Sequence, residues 1–151
     1  MREQSIENTM LRYLLKTIQY RMGKALAGAP DNFGAATAGY ETRTPAEILS
    51  HVSDVLGFAV AQWDADWVGP KTVGWPSEVC RYRATLVALD EILAKHSVTH
   101  DTAPRFMQGP LADVLTHVGQ LAMLRRMTGA PVAGENYFIA ELPEVYGEDL
   151  C

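Results

Sequence analysis

Apolar residues recur at helical spacing through four separate segments of this chain, and nowhere does an apolar–polar alternation run long enough to make a sheet. In residues 3–26, Ile6, Met10, Leu14, Ile18 and Met22 recur at steps of four and predict one continuous apolar stripe, which stops near Gly28 and Pro30. Residues 29–43 are rich in turn formers and too weakly periodic to carry an element. The sharpest local signal follows. Thr44, Pro45 and Glu47 supply an N-cap hydroxyl, a proline at the first helical position and a carboxylate placed to reach back to the cap. A second helix is therefore predicted from Pro45 to about Trp67. Gly69, Pro70, Gly74 and Pro76 mark a break, and a third helix is predicted over 77–95 with Val79, Tyr82, Leu86, Leu89 and Leu93 facing inward. Residues 96–108 read as a connection. A fourth helix is predicted to open at Pro110 and to close at Gly129, with Pro131 beyond. Residues 130–151 read as an irregular tail that wraps the helices with at most a short helical turn.

The expectation is an all-α chain, an antiparallel four-helix bundle with an irregular C-terminal tail, in one domain over 1–151. In such a bundle, facing helices sit about 8–10 Å apart and sites are built from inward side chains. A length of 151 residues suits a single core. An apolar content of 48% against 21% charged residues excludes disorder as the main state. The 13 Lys and Arg against 18 Asp and Glu leave a net charge of −5, which disfavours nucleic acid and anionic membrane surfaces as partners. No apolar run approaches the roughly 18 residues needed to span a bilayer, and the first residues lack a secretory leader, so the expected location is cytoplasmic. With only two cysteines, both Cys80 and Cys151 are expected to be free thiols.

Polar residues on inward faces are the informative ones. His51 falls between Ile48 and Val55 on a face that also includes Phe58 and Ala59, so it is expected to point inward. Asp113 and His117 stand one turn apart, on a face shared with Leu121 and Leu124, with Gln120 at its edge. A buried carboxylate needs compensation, no Lys or Arg lies within a turn on that face, and a divalent cation is a natural counter-charge. Two histidines and one carboxylate leave coordination positions open to water or substrate, as in catalytic metal sites. Zinc leads the candidates, with nickel or iron as alternatives. Beside this stands a structural reading in which His51 bonds a backbone carbonyl and Asp113 interacts with helix N-terminal amides. His96 and His100 form a second pair at metal-ligand spacing, but they straddle the expected end of the third helix, where the dipole favours histidine.

Two stretches carry a likeness to a known family: Thr44-Pro45-Ala46-Glu47-Ile48-Leu49-Ser50-His51 and Leu111-Ala112-Asp113-Val114-Leu115-Thr116-His117-Val118-Gly119-Gln120-Leu121, with the segment 125–137 similar in style. On these residues the chain resembles the DinB-like (YfiT-like) metalloenzyme superfamily of four-helix bundles, near the N-terminal domain type of the mycothiol-dependent maleylpyruvate isomerases. The resemblance implies a divalent-metal site, often of three histidines, with the helix-two ligand on His51 and the last helix-four ligand on His117. Where many members have a histidine, Asp113 stands here, similar to the acidic ligand of the maleylpyruvate isomerase branch but one methylene shorter than its glutamate. Members include transferases and isomerases that use low-molecular-weight thiols such as mycothiol or bacillithiol. The implied activity is thus a metal-dependent thiol transferase or isomerase acting on a small electrophile, with the metal holding the thiolate of the cosubstrate. A homodimer is implied in the same way. The family's name refers to DNA damage induction and implies no DNA binding.

Weaker candidates complete the reading. Trp63 and Trp67, with Trp75, are placed to wall a substrate pocket or, more simply, to join the core. Arg125 and Arg126 suit either a substrate carboxylate or a solvated last helical turn. Gln120 is a further candidate substrate contact. No catalytic acid or base stands out, and Cys80 has no neighbouring His or Lys to activate it. The alternative function is a non-catalytic helical binding or interaction protein whose histidines are structural.

Overall fold

The structure, a computed structural model, describes residues 4–146, so the expectation of a free thiol at Cys151 lies outside the described residues. All regular elements among them are helical: α1 (Ile6–Leu26), α2 (Pro45–Val60), α3 (Trp75–Lys95), a short α4 (Ala103–Phe106), a π-helical segment (Met107–Leu111), α5 (Ala112–Met127) and 3-10 turns at Phe33–Ala35 and Tyr137–Ile139. α1 and α2 each pack against both α3 and α5, giving the ring order α1, α3, α2, α5. Among the described residues no helix is long and apolar enough to cross a membrane.

Local chemistry accounts for most boundaries. Ser5 caps α1 by accepting from the Asn8 amide at 3.1 Å. The Thr44–Glu47 capping box forms as expected, with the Thr44 amide donating to Glu47 Oε2 at 2.7 Å. α2, however, ends at Val60 rather than near Trp67. The Trp63 amide bonds the Val60 carbonyl in a tightened turn, Asp64 and Asp66 would sit unfavourably at the negative end of a longer helix, and Trp63 turns away to stack on Phe106. α3 opens two residues earlier than expected, at Trp75, after Gly74 in the left-handed region.

The last helical stretch begins well before Pro110. Pro104 lies in the first turn of α4, and Pro110 sits inside the π segment. A proline inside an α-helix lacks an amide and presses its ring on the carbonyl four residues back; the wider π turn relieves both. The Ala112 amide accordingly reaches the Met107 carbonyl five residues back. The signal that marks a helix start thus occurs at both prolines, and the first one takes it.

One continuous core lies inside the ring of helices, with Leu11, Leu15, Leu49, Leu56, Leu86, Leu89 and Leu121 buried in it. Each such leucine contributes about 1.5–3 kcal/mol relative to exposure. On α1 the inward stripe is Leu11, Leu15, Ile18, Met22 and Ala25, whereas Ile6 and Met10 are exposed and Leu14 is half-buried. Steps of four advance each residue about 40° too far, so a stripe drawn at that interval leaves the core. Polar clamps tie α1 to α3. Buried Asn8 donates to the Leu93 and His96 carbonyls and accepts from the Val98 amide, and Arg12 grips Asp90 through two bonds of 2.8 and 3.0 Å. Among the described residues no cysteine is a free thiol: Cys80 is disulfide-bonded, against expectation. Pairing depends on which segments the fold brings together, and the spacing of two cysteines does not encode that.

Candidate metal centre

α2 and α5 pack side by side, and along their seam His51, Asp113 and His117 converge. His51 Nε2 lies 3.4 Å and His117 Nε2 3.5 Å from the same atom, Asp113 Oδ2. The two imidazole rings meet edge to face with centroids 4.8 Å apart, and the three potential ligand atoms all lie within 4.8 Å of one another. His96 and His100 make no such group. His96 is the exposed cap residue of α3, and His100 Nδ1 instead pairs with Glu7 Oε1 at 3.1 Å.

The separations can be compared with two chemistries. An N–H···O hydrogen bond brings the heavy atoms to about 2.7–3.2 Å. Ligand atoms bound at about 2.0–2.2 Å around a tetrahedral zinc stand roughly 3.3–3.6 Å apart. Both histidine–carboxylate separations fall in the second range. The three residues could therefore hold a metal ion.

The orientation of His117 is fixed from behind. Its Nδ1 lies 2.7 Å from Gln120 Oε1, and its Nε2 faces Asp113 in the site. An outer partner that sets the tautomer of a ligating histidine is a regular feature of metal centres. Gln120 thus acts on His117, one turn away, as well as lining the neighbouring cleft.

Exposure departs from expectation. The His117 side chain is 10% exposed, whereas His51 is at 37% and Asp113 at 44%. Asp113 is therefore no buried charge in need of compensation. On α2 the buried face is Ile48, Leu49, Val52, Ser53, Leu56, Ala59 and Val60, with Val55 half-buried and Phe58 exposed, so His51 stands at the rim of the core. Rim placement gives the site access. On one side a cleft of about 600 Å³ ends on His117 and Gln120; on the other, a cleft of about 550 Å³ between Phe58 and Pro110 ends on Asp113. The π segment forms a wall of the second cleft through Gln108, Gly109 and Pro110.

The other candidates are placed elsewhere. Trp63 stacks on Phe106 with centroids 5.2 Å apart, and both Trp63 and Trp67 pack on the core and line neither cleft. Arg125 is not in a solvated turn. At 5% exposure it donates to the Ala25 and Ala27 carbonyls at the end of α1 and to the Ala130 carbonyl, all at 2.8 Å. Arg126 is exposed. Sequence reasoning missed the residues that make the larger cleft, Arg43 and the exposed Met123 and Met127. A signal existed in the placement of Arg43 immediately before the α2 cap.

No protein-family model, curated protein or solved structure matches the chain.

Proposed function

We propose that the protein is a divalent-metal-dependent enzyme of the DinB-like type, an antiparallel four-helix bundle in which His51, Asp113 and His117 hold zinc, with nickel or iron as alternatives. The observation that carries this reading is the convergence of the three potential ligand atoms within 4.8 Å of one another, with histidine–carboxylate separations of 3.4 and 3.5 Å that suit shared coordination. A divalent ion at such a centre lowers the pKa of a bound water or thiol, so that a deprotonated nucleophile is available at neutral pH. The chain's own residues supply the rest. Gln120 orients His117 through its contact with Nδ1, His51 closes the site from α2, and two clefts reach the group, one lined by His117 and the other by Asp113.

The reaction class we favour is transfer or isomerisation using a low-molecular-weight thiol and a small electrophile, in a homodimer. Two open clefts meeting at one centre support a two-reactant chemistry. A cytoplasmic setting belongs to the same proposal, and the Cys80 disulfide opposes it, because reducing compartments keep thiols reduced. Thiol titration of freshly lysed protein decides that point.

A second reading has its own observation. Gln120 already satisfies His117, and Asp113 is solvated, so the three residues are stable without an ion, as in a non-catalytic binding protein. Metal-loaded and chelator-treated protein offered a thiol with a chlorinated aromatic electrophile separates the two. Metal-dependent consumption of the thiol, lost in His51→Ala, supports the enzyme; equal background rates in all samples would support the binding protein.

A further inference from the structure

The 600 Å³ cleft beside His117 has a chemical character of its own. Its floor is apolar, with Ile48, Leu124 and the exposed side chains of Met123 and Met127. Arg43 is the single Lys or Arg among its lining residues, and no Asp or Glu lines it. Among the described residues Arg43 has no ion-pair partner. The backbone that delivers it is strained, since Gly39, Tyr40 and Glu41 take φ values of 82°, 53° and 57° in succession. For tyrosine and glutamate that region carries a conformational cost, and such costs persist where the surrounding structure enforces them. The Thr42 amide and hydroxyl both bond back to the Gly39 carbonyl, at 3.1 and 2.8 Å, and this turn sets Thr42 and Arg43 at the cleft.

A methionine-rich wall adapts to apolar bodies of varied shape, and an unpaired guanidinium recognises a carboxylate by two parallel bonds. We propose that this cleft binds a small organic carboxylate, its anionic end on Arg43 and its apolar body along Met123, Leu124 and Met127, which brings the remainder of the molecule to His117. The inference deepens the enzyme reading and rests on it for the statement that the bound molecule is a substrate; the binding itself needs no metal.

Hexanoate, 1-hexanol and hexylamine are the probes, titrated into the full-length protein both zinc-supplemented and chelator-treated, with methionine methyl resonances as the readout. Hexanoate is expected to shift Met123 and Met127 but not Met10, which lies exposed on α1. Arg43→Gln, a change at an exposed position, is expected to weaken hexanoate about ten-fold or more while leaving zinc affinity unchanged. Hexanol and hexylamine are expected to bind no better to the native protein than to the variant. Hexanoate binding that survives Arg43→Gln, or that appears only with zinc present, overturns the proposal. If zinc fails to bind while hexanoate depends on Arg43, the metal reading falls and the carboxylate cleft stands.

Discussion

His117 is the one of the three candidate ligands that is both buried and held by a neighbouring side chain, so its orientation depends on the Gln120 contact of 2.7 Å. Removing an outer partner of this kind costs about 10–100-fold in metal affinity. Gln120→Leu is expected to weaken zinc by that factor in a chelator competition, with unchanged helical circular dichroism because Gln120 is exposed. A zinc affinity equal to that of the native protein would show that the contact does not orient the ligand. Arg125 behaves oppositely. Its loss leaves carbonyls at the α1 end without their buried donor, so Arg125→Met is expected to cost about 2–4 kcal/mol in urea unfolding and to leave zinc affinity unchanged. At this scale the sequence was informative about which residues come together: an i, i+4 pair on one helix and a histidine two turns beyond a capped start were readable. Exposure was not, because His51 and Asp113 lie at face edges, and a few tens of degrees of helix rotation decide whether an edge is wet. Arg125 was misread because the carbonyls it serves belong to a segment about a hundred residues away.

The elements are fixed by caps and by one irregularity. Thr44 and Glu47 satisfy each other's backbone amides at the start of α2, two turns before His51. Thr44→Ala is expected to destabilise the protein by about 1 kcal/mol, read as a lowered urea midpoint with unchanged slope. A loss of several kcal/mol would mean that Thr44 does more than cap. This start was legible because its chemistry is local. The start of the last helical stretch was not, since Pro104 and Pro110 carry the same signal and only packing distinguishes them: Phe106 is buried against Trp63, which requires helix upstream of Pro110. The π segment that reconciles the second proline with a continuing helix leaves no periodic trace, yet it forms the wall beside Asp113.

Across the whole molecule the described part of the tail is held on α1 by charge. Lys24 donates to Glu135 at 2.6 Å and Lys16 to Glu144 at 2.5 Å, while Arg21 lies 3.8 Å over the Tyr137 ring. The Lys24 ammonium, with help from the Tyr20 hydroxyl, holds the Glu135 carboxyl below its usual range, and Lys16 does the same for Glu144. A carboxyl depressed in the docked state stabilises docking at pH above its ordinary value, and that contribution is lost as pH falls through the depressed value. Hydrogen exchange of residues 132–146 is therefore expected to accelerate below the ordinary carboxylate range while the core amides of α1 stay protected. Unchanged tail protection on acidification would show that apolar contacts alone hold it. An all-helical fold was legible from periodicity, but the wrapping of the tail depends on long-range approach that no local pattern encodes. The proposed function depends on whether His51, Asp113 and His117 bind an ion. Elemental analysis of protein purified without an affinity tag or chelator, beside His51→Ala, decides it most directly. About one zinc, nickel or iron per chain, absent from the variant, is the predicted result; no metal after divalent ions are offered, or equal metal in the variant, would contradict it.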